Sequence, residues 1–291
     1  MINAVIAVII SIIPAFAASG GFEAAARIPA DLGPGFDERE PLSGPEASPD
    51  AGSGAWLTAA GGLIAHAGGG IDGKDGTNSR EAVELNYSLG HRVFELDFKL
   101  TRDGSVAVVH DWALYAGQRT MEEYRKARAD DIYDDYSAMS YIDVCGEMAE
   151  KPDMWLVTDT KSFEDDDPAE TREMFEIMTR EAKERGVIDR IIPQIYNQEM
   201  YSMIMGIYPF KNIIYTLYES PDSDEEAARF VADKDNIRAV TMAPARFSAK
   251  FGKALRDEGK KVFFFTLNDP EEAARWRKEG VDGFYTDFIK P

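Results

Sequence analysis

Cysteine occurs once in the 291 residues, at Cys145, so no internal disulfide can form and the fold must rest on its core. Basic residues are also scarce. Lys and Arg number 32 against 52 Asp and Glu, for a formal net charge of −20. Such a surface repels a phosphate backbone, which excludes nucleic acid as a partner. There are three histidines, His66, His91 and His110. No apolar run reaches the ~20 residues of a membrane span. The stretch from Ala4 to about Ile13, followed by Pro14 and Ala15-Phe16-Ala17, instead resembles an apolar export signal with a small-residue cleavage site, although a positive start is missing. Residues 1–18 are therefore expected to direct export or, less readily, to serve as a short anchor. Residues 19–54 are rich in Gly, Pro, Ala and acids and show no apolar periodicity, which predicts a flexible tether. Residues 55–291 are one domain's worth of chain.

What is present, with 44% hydrophobic residues, is an alternation of short β-rich apolar runs with helical stretches. Eight strands are predicted at 62–66, 92–98, 154–161, 190–195, 212–217, 238–243, 261–267 and 283–288. Helices between them have legible ends. Asn78 with Glu81 predicts a capping box, and Asp269-Pro270 with Glu272 opens another helix. Eight such units over this length predict an α/β fold, a (β/α)8 TIM barrel. A Rossmann sheet is disfavoured, because "HAGGGIDG" lacks the dinucleotide-binding spacing.

The stretch "FELDFKLTRDGSVAVVHDW" (94–112) extends the second strand into a hairpin. Glu95 and Asp97 share one strand face and Phe94, Leu96 and Phe98 the other. Asp103-Gly104 reads as a two-residue type I′ turn, which pairs Arg102 with Ser105 and sets Asp97 opposite His110, with Cβ atoms about 5 Å apart. A slip of one residue would turn His110 to the other face. His66, Asp159, Lys161 and Gln194 also stand at carboxyl ends of strands, where barrel active sites are built. Glu95, Asp97 and Asp159 offer oxygen ligands only, which suits Mg²⁺ or Ca²⁺. Two histidines off the metal are then available for acid–base work, with Lys161 and the cation on phosphate oxygens. His91, ahead of the second strand, reads as structural. Tyr196, Tyr215, Tyr218 and Trp112 fit either the barrel mouth or ordinary packing.

These residues resemble the glycerophosphodiester phosphodiesterase family, TIM barrels related to phosphatidylinositol-specific phospholipase C. The matching stretches are "HAG" (66–68), "TNSREA" (77–82), "ELD" (95–97), "TRDGSVAVVHD" (101–111), "DTK" (159–161) and "GVDGFYTDF" (280–288). The resemblance implies a metal-dependent phosphoric diester hydrolase acting on a small-molecule or lipid phosphodiester, at a membrane surface or in a cell wall included. The export-like start adds the expectation that it is secreted. His66 and His110 would be its acid/base pair, Glu95, Asp97 and Asp159 its metal ligands, and Lys161 a phosphate contact. Two positions depart from the pattern. Ala67 replaces the motif arginine, and Asp159 stands where glutamate is usual. Lys74, or backbone N–H groups of the 68–76 loop, are expected to supply the missing positive field. A remodelled clamp of this kind suits a glycerophosphodiester, a lysophospholipid, a phosphatidylinositol-like lipid or a glycerophosphate polymer. Residues 112–153 fall where the family carries a substrate-capping insertion. The alternatives are a non-catalytic barrel that binds phosphorylated glycans or lipid head groups, and a glycosidase. For the glycosidase, Glu95 and Asp97 share one strand rather than flanking a sugar, and the histidines have no task.

Overall fold

Along the predicted strands at 62–66, 92–98, 154–161 and 190–195 the side chains alternate between a largely apolar outer face and an inner face that is apolar at its start and polar at its end. The computed structural model describes residues 54–128, 134–160, 168–218 and 220–291. The export-like segment and all of the tether except Gly54 therefore lie outside the described residues, as does Lys161. The barrel strands are β1 (Leu63–Ala65), β2 (Val93–Leu100), β4 (Trp155–Asp159), β5 (Ile191–Ile195), β6 (Ile213–Thr216), β7 (Ile237–Met242), β8 (Lys261–Phe264) and β9 (Gly283–Thr286). They run parallel in the order β1-β9-β8-β7-β6-β5-β4-β2, and a pairing of Ala65 with Phe94 closes the ring. All eight strands expected from the sequence are present, and the fold is a TIM barrel. Among the described residues no helix is long and apolar enough to cross a membrane.

The inward residues start apolar and end polar. Ile64 leads to His66, Val93 to Glu95 and Asp97, Trp155 and Val157 to Asp159, and Ile192 to Gln194. Period-2 alternation thus packs the barrel floor and arms its carboxyl end with the same strands. A short helix, α1 (Ala55–Ala60), closes the floor with Trp56, whose ring is wholly buried against Phe263. Outward residues such as Phe94, Leu96 and Phe98 meet the surrounding helices. These are α2 (Arg80–Ser88), α4 (Tyr141–Glu150), α5 (Pro168–Glu184), α6 (Gln198–Ile207), α7 (Asp224–Ala232), α8 (Ala249–Asp257) and α9 (Pro270–Lys278). Cys145 sits in this outer core on α4, and burial pushes its thiol up to about 12. His91 is buried below the barrel, where its Nε2 bonds the Ile289 carbonyl at 3.1 Å, a structural position.

β3 (Val106–Val108) is the returning arm of the hairpin, antiparallel to β2 and outside the barrel. Its register differs from expectation by one residue. Phe98 pairs with Val108 and Leu100 with Val106, and the Val109 N–H donates to the Asp97 carbonyl at 3.0 Å, so Val109, not His110, faces Asp97. The reason is the turn. Arg102-Asp103-Gly104 form a three-residue loop, with the Gly104 N–H bonding the Thr101 carbonyl and Gly104 alone in the left-handed region at φ 74°. Asp103 is held in this form because its carboxylate accepts from Thr101 Oγ1 at 2.6 Å and from the Met121 N–H at 3.2 Å. That second bond opens α3 (Met121–Arg128), a contact the local turn motif does not contain.

Candidate active site

Asp97 on β2 and Asp159 on β4 are direct partners in the parallel ladder, and Glu95 lies one pleat below Asp97. Each of the three buried carboxyls offers an oxygen within 4.8 Å of the others. One oxygen of each is tethered: Glu95 Oε2 accepts the Ala67 N–H at 2.9 Å, Asp97 Oδ2 accepts Asn78 Nδ2 at 2.7 Å, and Asp159 Oδ1 accepts the Tyr196 hydroxyl. Burial and the Asp159 charge hold the Tyr196 phenol well above its ordinary range, so it remains a donor. Glu95 Oε1 is buried and finds no hydrogen-bond partner among the described residues. Burial first, and then the charge of Asp97, raise the Glu95 carboxyl above its ordinary value. Three crowded acids, all oxygen donors and one with an orphaned oxygen, fit a hard dication of the Mg²⁺ or Ca²⁺ type.

His66 follows β1 at the level of this cage. Its Nδ1 is paired with Asp287 Oδ1 at 2.8 Å, and Asp287 is in turn held by Asn268 Nδ2 at 2.7 Å and by its own N–H on Asn268 Oδ1 at 2.7 Å. Burial alone would lower the imidazole's pKa. The Asp287 hydrogen bond, with the charges of Glu95, Asp287 and Asp97, overrides it and raises His66 to about 9. Nε2 is left as the ring's second nitrogen.

His110 reaches the same cavity by a route other than the expected one. β3 ends at Val108, and beyond Val109 the chain bends, so the register offset does not turn the ring away. His110 Nδ1 bonds Asp111 Oδ2 at 3.0 Å, and Asp111 Oδ1 accepts the N–H groups of Ala113 and Leu114. The cavity, of about 260 Å³, is lined on one side by His66, Glu95, His110 and Asp159. Gln194 lines it as well, with its Oε1 accepting the Tyr285 hydroxyl at 2.8 Å. Tyr196, bonded to Asp159, stands beside the cage, and Tyr218, Phe265, Thr216 and Thr266 line the rest of the cavity. Tyr215 and Trp112 are packing residues instead, Tyr215 on Phe230 and Trp112 on Tyr115 and Tyr124.

No lysine or arginine lines the cavity among the described residues. Lys74 is placed elsewhere, its ammonium 4.9 Å from the Tyr136 ring centre and 3.8 Å from Asp135. The N–H groups of Gly69, Gly70, Ile71 and Lys74 are engaged by backbone carbonyls, not turned to a ligand. Ala67 is buried and gives its N–H to Glu95. Two residues of the site escaped sequence reasoning. Asn78 is not a helix cap; Ser79 caps α2, accepting the Ala82 N–H at 3.2 Å, which leaves Asn78 to hold Asp97. Asp287 carried a positional signal, a polar residue following β9 at the same end of the barrel as His66.

Comparison with known proteins agrees with this fold. An uncharacterised Bacillus subtilis (strain 168) protein, YqiK, is 26% identical over 242 residues, covering 78% of this chain and 94% of that one. A crystal structure from Silicibacter pomeroyi DSS-3, named a "putative glycerophosphoryl diester phosphodiesterase", superposes with a TM-score of 0.64 at 20% identity, covering 78% of this chain and 89% of that one. An Oleispira antarctica phosphodiesterase, solved with the product sn-glycerol-3-phosphate, gives 0.62 at 17% identity over 78% of this chain and 92% of its own. Their likeness is one of fold. The sequence profile of the glycerophosphoryl diester phosphodiesterase family matches residues 66–290. With that span covering the barrel from His66 onward, the chain belongs to the glycerophosphoryl diester phosphodiesterase family and is a phosphoric diester hydrolase.

Proposed function

We propose that this hydrolase cleaves small glycerophosphodiesters, yielding a glycerol phosphate and a free alcohol, with His66 as general acid and His110 as general base. The observation that carries the reading is the meeting of three buried carboxyls and two imidazoles on one cavity. The substrate class follows the Oleispira antarctica relative, whose product is sn-glycerol-3-phosphate. Glu95, Asp97 and Asp159 are the residues that would hold a divalent cation. When bound, it supplies a Lewis acid for the diester's non-bridging oxygens and offsets the charge that builds on them. His110, at the open side of the mouth, takes a proton from the attacking hydroxyl, either of water directly or of the substrate's neighbouring hydroxyl. The second route gives a transient cyclic phosphate that water then opens to the glycerol phosphate. His66 is paired through Nδ1 with Asp287, which favours its protonated form, and it gives its proton to the departing alkoxide as the P–O bond breaks. Tyr218 and Phe265 exclude water from the cavity and pack the organic part of the diester.

The test is hydrolysis of a glycerophosphodiester panel with and without chelator. His66→Ala and His110→Ala are each expected to lower turnover by about 100-fold or more. Full activity in chelator would remove the cation from the reading, and full activity in both variants would remove the histidines.

A further inference from the structure

The segment between β3 and β4 ends its first helix, α3, with a buried cation. The Arg128 guanidinium donates to the Thr77 carbonyl, through Nη1 to the Tyr124 hydroxyl at 3.2 Å, and through Nε to the Tyr136 carbonyl at 3.3 Å. Thr77 directly precedes Asn78, which is itself buried and held in the left-handed region at φ 49°. In that conformation Asn78 grips Asp97 twice. Nδ2 donates to the carboxylate at 2.7 Å, and Oδ1 accepts the Asp97 N–H at 3.1 Å. The Tyr124 hydroxyl completes a second branch by donating to the Val108 carbonyl at 2.8 Å. Val108 is followed by Val109, bonded to the Asp97 carbonyl, and then by His110. One guanidinium thus reaches a cage carboxylate through two hydrogen bonds joined by the Thr77–Asn78 peptide link, and the end of the strand that leads to an imidazole through two more.

Burying a cation is costly unless its donors are satisfied, and a planar fork with five N–H groups reaches three acceptors where an ammonium cannot hold the same geometry. A left-handed asparagine is also strained unless its surroundings fix it. We infer that Arg128 is a positioning residue. By fixing Thr77 and Asn78 it sets the affinity of the Glu95–Asp97–Asp159 cage for a divalent cation, so that the insertion tunes the metal site without touching it. This inference rests on the metal reading above.

Calorimetric titration of the full chain with Mg²⁺ and with Ca²⁺ tests it. Asn78→Ala is expected to weaken binding by about 10–100-fold, as removal of a ligand's orienting partner does elsewhere. Arg128→Gln is expected to weaken it by about 10-fold, with Arg128→Lys between it and the parent. The double variant should bind no more weakly than Asn78→Ala alone, since both act through one carboxylate. Arg128→Gln that folds with lowered Tm and unchanged cation affinity overturns the inference, and so do losses that add. Should the Arg128 variants not fold, Tyr124→Phe decides, because it deletes only a hydroxyl. Affinity lower by about threefold or more supports the coupling, and unchanged affinity ends it. A parent chain that binds neither cation sinks the metal reading itself, a result distinct from any of these.

Discussion

Asp287 touches His66 and nothing of the diester's path, yet it decides which proton the ring carries. Against the lowering effect of burial, the Asp287 hydrogen bond first, and then the charges of Glu95, Asp287 and Asp97, raise His66 to about 9. The acid form stays populated below that pH, so activity should fall as pH rises through it. Asp287→Asn removes the charge and one of the two acceptor oxygens that serve His66 and Asn268. The alkaline limb of the pH–rate profile is therefore expected to move to lower pH, with kcat down by about 100-fold. An unmoved limb would assign that titration to another group. Glu95 follows the opposite logic. Its carboxyl is raised in the fold, so the neutral form is favoured there, and cation-free stability should drop as pH climbs above the ordinary 4.5. Cation binding must displace that proton, so the cation-induced rise in Tm is expected to be larger at about pH 8 than at about pH 5. Glu95→Gln should flatten both trends in thermal melts, because its side chain does not titrate.

The hairpin element shows what a sequence conceals. Alternation alone placed Glu95 and Asp97 on the inner face and Phe94, Leu96 and Phe98 against the helices, because a period-2 pattern is local. Asp103-Gly104 is compatible with two loop lengths, and the choice was made by a bond from Asp103 to the first N–H of α3, eighteen residues on. The same limit hid Asn78, where two adjacent polar residues competed for one cap and Ser79 took it. His110 was legible as a mouth residue although the pairing argued for it was off by one, since the strand ends before the offset takes effect. Gly104 offers a clean check of the observed turn. A Cβ there meets nothing within 4 Å, so Gly104→Ala carries only the cost of φ 74°, about 1 kcal/mol, measurable by denaturant unfolding. A neutral result would contradict the three-residue loop.

At the scale of the whole molecule, floor and mouth are separate problems solved on the same strands. Trp56 fills the floor, remote from the cage, and is wholly buried. Trp56→Ala is expected to cost about 3–5 kcal/mol in unfolding while leaving cation affinity of the folded chain unchanged. A change in that affinity would mean that the two ends of the barrel communicate. The ring itself closes at a narrow join, a single paired position, Ala65 with Phe94, between the first and second strands. Just above that join, the N–H of Ala67 reaches across to the carboxylate of Glu95. The side chain proposed to hold an ion is therefore also the rivet of the barrel's thinnest joint, so a substitution that removes its carboxylate is expected to slacken the wall of the vessel as well.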